Sequence, residues 1–132
     1  NEIWSFGDKA YGILKNLIDF REIMRPYVRT LMQAAHEDGA PVMRTMFYEF
    51  PEDEAAWELR DQYMFGPDVL VAPVLDAGAV QRKVYLPAGA QWTDLHTGST
   101  YAGGAEILCD APLERIPVFL RDGAHKDWIG KI

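Results

Sequence analysis

DQYMFGPDVLVAPV, residues 61–74, joins two unlike halves of this chain. Gly66-Pro67 breaks the preceding pattern, because glycine adopts dihedral angles that other residues avoid and proline ends a preceding helix. Residues 69–74 form a continuous apolar run bounded by turn residues, which is typical of a buried strand. The sequence therefore predicts a change at this point from a largely helical segment to a β domain.

The composition of the 132-residue chain excludes several classes of protein. Hydrophobic residues make up 48% and charged residues 25%, which is typical of a globular protein. The net charge is −7 and the basic residues are scattered, so we expect no nucleic-acid partner. No apolar run approaches the roughly 20 residues of a membrane-spanning helix, so we expect no membrane partner. The single cysteine, Cys109, rules out an internal disulfide and suggests a reducing, cytoplasmic location.

Apolar residues recur at helical spacing from about Lys9 to Glu37, which predicts a long amphipathic helix. Pro26 predicts a kink or a division into two helices, because proline removes a backbone donor. Asp8 or Ser5 is expected to cap the start of the helix, and Gly39-Ala40-Pro41 to end it. If the apolar stripe has no partner, we expect it to drive self-association. The stripe comprises Ala10, Ile13, Leu14, Leu17, Phe20, Met24, Tyr27, Val28, Leu31, Ala34 and Ala35.

Short strands dominate the rest of the chain. One is predicted at 42–47, and a helix followed closely by a strand is typical of α/β folds with parallel sheets. Asp53 is expected to cap a short helix at 54–59. Beyond residue 67, strands separated by turns predict an antiparallel sandwich or barrel. After the run at 69–74, these strands are 81–86, 91–95, 99–101, 106–109 and 116–121.

Six motifs follow one another along the chain. They are WSFG at 4–7, RPY at 25–27, GAPVMR at 39–44 with EFP at 49–51, DQYMFG at 61–66 with LVAPV at 70–74, VYLP at 84–87 with WTD at 92–94, and IPVFLR at 116–121. In this order they resemble the C-terminal part of glycoside hydrolase family 31, the α-glucosidases and α-xylosidases.

The resemblance implies an α+β fragment, because a whole (β/α)8 barrel needs about 250 residues. Residues 1–66, with the long helix, the eighth strand and a short helix, are expected to be the C-terminal end of the barrel. Residues 67–132 are expected to form an antiparallel β-sandwich. Gly66-Pro67-Asp68 is expected to be a rigid hinge between them, with Arg60 and Asp61 in structural pairs at the junction. Because the chain begins with Asn1, we expect it to be cut from a longer protein.

The resemblance also implies a retaining α-glycosidase that hydrolyses terminal α-linked glucose or xylose in oligosaccharides or glycosides, without a cofactor. Retention requires two carboxyl groups about 5 Å apart. In the family both lie on earlier barrel strands, and neither motif occurs here. The catalytic residues are therefore expected upstream of Asn1, and the fragment is expected to be structural and inactive.

The alternative is a stand-alone carbohydrate-binding or interaction module. In that case aromatic side chains of the sandwich would stack on sugar rings, whereas aromatic residues in sandwich strands usually belong to the core. The aromatic residues concerned are Tyr85, Trp92, Tyr101 and Trp128.

An acidic cluster follows the predicted strand at 42–47. We expect most of it to be a solvated loop and helix start, where acidic residues are common. Glu49 is the candidate substrate-binding residue, because it follows a barrel strand at the face where barrel enzymes bind substrate. Cys109 is expected to be a small buried side chain. The histidines, His36, His96 and His125, lack metal-ligand spacing, so no metal site is expected. The other acidic residues are Glu52, Asp53, Glu54 and Glu58.

Overall fold

A computed structural model describes all 132 residues, Asn1–Ile132, and divides them into two compact units, residues 1–40 with 131–132 and residues 41–130. Two helices are present, α1 (Asp8–Asp38) and α2 (Met46–Glu49), with 3-10 turns at Ile3–Phe6, Glu54–Trp57 and Lys126–Trp128. The strands are β1 (Met43–Arg44), β2 (Tyr63–Phe65), β3 (Val69–Val71), β4 (Gln81–Leu86), β5 (Gln91–Asp94), β6 (Thr100–Ala102), β7 (Ala105–Asp110) and β8 (Val118–Arg121).

The first unit is built on α1, whose bounds lie within a residue of the predicted ones. The helix is continuous through Pro26, so the expected division into two helices is wrong. Proline removes only its own N–H from the hydrogen bonds of the helix. The stabilisation from the rest of a 31-residue helix outweighs the loss of that one bond. The Thr30 hydroxyl also donates to the Pro26 carbonyl oxygen at 3.1 Å.

The two ends of α1 differ in how they are capped. Gly39 ends the helix as predicted, with φ 68° and its N–H bonded to the Ala35 carbonyl at 3.1 Å. Neither Ser5 nor Asp8 caps the start, which is a correction. Gly7 occupies the capping position without a side-chain bond, and the Ser5 hydroxyl donates to the Glu2 carbonyl instead. Asp8 lies in the first turn, where its charge suits the helix dipole.

The apolar residues of α1 fall on two faces. Phe20, Tyr27 and Leu31, all from the predicted stripe, are buried. Other large apolar side chains are 39–58% exposed, namely Tyr11, Ile18, Ile23 and Met32. Despite its length, α1 has no stretch apolar enough to cross a membrane.

The second unit is an antiparallel β structure. Six strands form one sheet in the order β1-β2-β3-β8-β5-β6, and β4 pairs with β7 in a second, two-stranded sheet. Every pairing is antiparallel, as predicted for the second half. The buried core joins both sheets through Leu70, Trp92 and Phe119 on the larger sheet and Val84 and Leu86 on the smaller one.

The predicted strand at 42–47 is only partly correct. The strand ends at Arg44, and Met46 begins the helical turn α2, which buries Met46 to 1% exposure. An apolar run of this length fits a strand or a buried helical turn equally well. The expected parallel arrangement is also wrong for β1, because β1 pairs antiparallel with β2.

The junction at Gly66 is a hairpin turn. β2 pairs directly with β3 on its far side, and Gly66 has φ 63°, a conformation that favours glycine. Residues 41–66 therefore belong to the same compact unit as residues 67–130. The assignment of residues 1–66 to the end of a barrel stays a prediction.

Two polar side chains, the buried Gln62 and the half-buried Arg82, link the segment before β2 to β4. The Gln62 amide donates to the Tyr85 carbonyl at 2.7 Å and accepts from the Tyr85 N–H at 3.1 Å, so it extends β4 as a strand would. Arg82 on β4 pairs with the Asp61 carboxylate at 3.1 Å and donates to the Pro73 carbonyl at 2.5 Å. The pairing expected for Asp61 is confirmed, whereas Arg60 is exposed and forms no ion pair, which corrects the expectation for that residue.

Candidate functional site

Glu49 is the candidate substrate-binding residue, and it lies in a cluster with two arginines. Arg44 ends β1, Glu49 ends α2 and Arg121 ends β8, so three separate elements converge. One Glu49 oxygen accepts from Arg44, and the other accepts from Arg121 Nη1 at 3.0 Å. We call Arg44, Glu49 and Arg121 the Glu49 cluster.

The surroundings of the Glu49 cluster complete its hydrogen bonding. Arg44 Nε donates to the Pro41 carbonyl at 2.7 Å, and Arg121 donates to the Pro67 carbonyl at 3.2 Å. The Arg121 guanidinium lies 4.5 Å from the centre of the Phe50 ring, a distance at which cation–π attraction operates. The side chains of Arg44, Glu49 and Arg121 are 10%, 13% and 26% exposed.

This geometry makes the Glu49 cluster a structural link. A carboxylate that accepts from two guanidinium groups has its strongest acceptor positions occupied, so it is poorly placed to bind a substrate hydroxyl. The link also joins α2 to β8, which are far apart in sequence. The function expected for Glu49, contact with substrate, has no direct support in this geometry.

A second acidic residue, Asp53, holds a turn against β4. Asp53 accepts from the Ala55 N–H at 3.1 Å and so caps the 3-10 turn at Glu54–Trp57, as predicted. Its other oxygen accepts from the Tyr85 hydroxyl at 2.6 Å and the Ala88 N–H at 2.9 Å. Burial raises the pKa of Asp53, but the bonds from Tyr85, Ala88 and Ala55 outweigh it and hold the pKa below its ordinary value. Burial, followed by the bond to Asp53, raises the pKa of Tyr85 to about 12.

The histidines and the cysteine have structural surroundings. His125 Nε2 lies 2.9 Å from Asp68 Oδ2, and its ring stacks on Trp128 at 3.9 Å. His96 donates from Nε2 to the Ile116 carbonyl at 2.8 Å. Cys109 is buried, as predicted, and burial, with the nearby Asp94 carboxylate, raises the pKa of its thiol to about 11. No group of three His, Cys, Asp or Glu side chains is arranged to hold a metal ion.

The aromatic residues considered for sugar stacking mostly belong to the core. Trp92 and Trp128 are 0% and 4% exposed, and the Trp92 indole donates to the Pro87 carbonyl at 3.0 Å. Tyr101 packs edge-on against Phe119, and its ring centre lies 6.1 Å from that of Phe119. No broad aromatic platform is therefore formed by these side chains.

Replacing Glu49 by glutamine should destabilise the chain by about 2 kcal/mol, because two poorly exposed guanidinium groups lose their counter-charge. The midpoint of urea denaturation, followed by circular dichroism, measures this change. Glu52→Gln is the matched control, since Glu52 is exposed and forms no ion pair, and its midpoint should stay unchanged. Equal effects of the two substitutions would show that the Glu49 cluster contributes nothing to stability.

The Tyr85–Asp53 bond should make stability fall at high pH. Because the folded state raises the pKa of Tyr85 from 10.0 to about 12, its contribution is complete below pH 10 and is lost as the pH rises to about 12. Tyrosinate absorbance should show a step near pH 12 that is missing in Tyr85→Phe and is separate from Tyr63, whose pKa burial also raises. Asp53→Asn should lower the midpoint of that step but not abolish the shift, since burial is the larger cause. An unchanged midpoint in Asp53→Asn would contradict the role of this bond.

This chain is similar to known proteins in both sequence and structure. The sequence profile of the glycosyl hydrolase family 31 C-terminal domain matches residues 39–124, well over half of the chain. Alpha-glucosidase 2 of Bacillus thermoamyloliquefaciens is 41% identical over 93% of the chain, and the alpha-xylosidase of Saccharolobus solfataricus is 32% identical over 98%.

Solved structures agree with the sequence relatives. The GH31 alpha-xylosidase from a soil metagenome, crystallised with xylose, superimposes with a TM-score of 0.94 at 55% identity over 98% of the chain. The chain spans 16%, 18% and 19% of these three proteins, less than a fifth of each. Because the family profile matches more than half of its residues, the chain belongs to glycosyl hydrolase family 31 and contains the C-terminal domain of that family.

Proposed function

We propose that this chain is the C-terminal region of a retaining α-glycosidase that hydrolyses terminal α-linked glucose or xylose. The observation that carries the proposal is the 55% identity and TM-score of 0.94 to a GH31 alpha-xylosidase across 98% of the chain. The relatives named alpha-glucosidase and alpha-xylosidase are the reason for proposing these two sugars. The substrate is an oligosaccharide or glycoside, and no cofactor is required.

Within that enzyme the chain has a structural role. Residues 1–66 complete the barrel, with α1 as its long helix, and the sandwich strands support it. The Glu49 cluster supports this proposal, because both carboxylate oxygens of Glu49, the candidate substrate-binding residue, bond to arginines. The bond to Arg121 joins α2 to β8. Asp53 is similarly engaged with Tyr85 and Ala88. A retaining mechanism needs two carboxyl groups about 5 Å apart that are free to act, and the acidic cluster supplies no such pair.

Activity assays on two lengths of the protein test this proposal. The 132-residue chain should not cleave 4-nitrophenyl α-D-glucoside or α-D-xyloside. A protein that also includes the preceding coding sequence should cleave at least one of them, and NMR should show that the first product keeps the α configuration. Hydrolysis by the 132-residue chain alone would contradict the structural role, and an inactive longer protein would contradict the assignment as a glycosidase.

We also propose that the isolated chain is made in the cytoplasm and self-associates through an exposed row on α1. This row lies outside the predicted stripe, whose residues are buried or half-buried. Tyr11, Ile18 and Met32 are 40%, 46% and 58% exposed and recur at multiples of seven residues, so they share one face of the helix. Exposed apolar rows of this kind promote association. The free thiol of Cys109 supports a reducing compartment.

Light scattering of the 132-residue chain should give a mass at least twice the monomer mass of 14.9 kDa. Ile18→Lys should shift the mass toward the monomer by placing a charge in the apolar row. Asn16→Lys adds the same charge at an exposed polar position and should leave the mass unchanged. A monomeric mass for the unsubstituted 132-residue chain would rule out self-association.

A further inference from the structure

A cavity of about 170 Å³ lies within residues 41–130, away from the Glu49 cluster. It is lined by side chains from the β5–β6 turn, the end of β7 and the loop before β8, including Asp94, Ser99, Asp110 and Arg115. This space holds several water molecules, since about 10–15 Å³ on the same measure already holds one. That is room for one small molecule, of the size of a single sugar ring.

The charged groups around this cavity are only partly used by the protein. Asp94 Oδ1 accepts from the N–H groups of His96 and Thr97 at 2.7 and 3.2 Å, and Asp110 Oδ1 accepts from Gln81 Nε2 at 2.9 Å. Only Oδ1 of each carboxylate takes part in these hydrogen bonds. Arg115 and Asp110 are exposed residues, so their polar atoms face solvent where no ligand is bound. Two acceptors and a fork of donors therefore remain available at one small cavity.

This mixture selects a hydroxyl-rich ligand over an anion or a metal ion. A phosphate or carboxylate would be repelled by Asp94 and Asp110, which outnumber Arg115. A metal ion has no suitable group of ligands here. A hydroxyl group suits both sides of the cavity, because it donates to a carboxylate oxygen and accepts from a guanidinium.

Part of the remaining wall of the cavity is apolar and suits the C–H groups of a sugar, whereas His96 and Thr97 add polar surface. Leu108 is 63% exposed and lines the cavity together with Pro117. Tyr101 also lines it, with its ring held edge-on against Phe119. Binding sites for small molecules commonly combine apolar walls with a few polar groups that fix orientation.

From this geometry we infer that the cavity is a binding site for a single neutral pyranose ring, with Asp94, Asp110 and Arg115 as its polar contacts. The site goes beyond the proposed hydrolytic activity, because it takes the sugar without cleaving it. Its position in the sandwich means that it would bind a sugar residue separately from any active site in the rest of the enzyme.

NMR titration of the ¹⁵N-labelled 132-residue chain tests the inference. D-Xylose, D-glucose and methyl α-D-glucoside should each be tried, with inorganic phosphate and glycerol as alternative ligand classes. At least one sugar should give saturable shifts at the amides of Ser99, Leu108 and Arg115, with a Kd on the order of millimolar. Phosphate should give none, and glycerol should bind more weakly than the sugar.

Arg115→Ala should raise the sugar Kd about tenfold, because a hydrogen bond from a charged donor is lost. Arg60→Ala is the matched control, since Arg60 is exposed, forms no ion pair and does not line the cavity. Ser99→Gln, which fills the cavity while leaving Arg115 in place, should also weaken binding.

Three results would overturn the inference. They are the absence of saturable shifts with every sugar, equal Kd values for Arg115→Ala and Arg60→Ala, and phosphate binding at the same amides. The assay reads binding alone, so its outcome is separate from that of the hydrolysis assays on the longer protein.

Discussion

The pairing of β3 with β8 is the constraint on which the second unit depends. These strands lie at the centre of the six-stranded sheet, and β1 and β2 follow on one side while β5 and β6 follow on the other. Leu70 and Phe119 face each other in this pair and are 0% and 1% exposed. Because β3 and β8 are far apart in sequence, their pairing must overcome a large loop-closure entropy before the buried core compensates for it. Without that pairing, the larger sheet would divide into two three-stranded halves.

The polar links of this unit reinforce the same closure. The Glu49 cluster joins the end of α2 to the end of β8, and Gln62 joins the segment before β2 to β4. Both bring residues 41–66 against the sandwich strands, even though the sequence suggests that these residues belong to a different domain. In the glycosidase that we propose, the segment after the eighth barrel strand would therefore be held rigidly by the sandwich. The structural role of the sandwich would then be to fix the position of this segment.

Local features of the fold were predictable from the sequence, and long-range features were not. The bounds of α1 and β4 follow from periodicity and turn residues, which act over a few positions. The direction of β1 and the end of that strand at Arg44 depend on its partner β2 and on the burial of Met46, which no local pattern encodes. Pro26 is tolerated inside α1, because the loss of one hydrogen-bond donor destabilises the helix less than the remaining helical hydrogen bonds stabilise it.

The same distinction applies to the sites. The position of Glu49 after a strand marked it as a candidate, but its partner Arg121 lies 72 residues away, with no spacing signal between them. Sequence reasoning also missed Arg115 and the cavity beside it, because that cavity is assembled from three segments that are separate in the chain. Recognition of the family motifs, by contrast, needed no three-dimensional information.

Native-state hydrogen exchange would test most directly whether residues 41–130 form one cooperative unit around the β3–β8 pair. If they do, the amides of β2, β3 and β8 exchange with the same free energy, equal to that of global unfolding. Met64 in β2 and Leu70 in β3 are the decisive pair, because they lie on opposite sides of the Gly66 turn. An exchange free energy for Met64 lower than that for Leu70 by more than about 2 kcal/mol would show that residues 41–66 open independently, and would contradict this account.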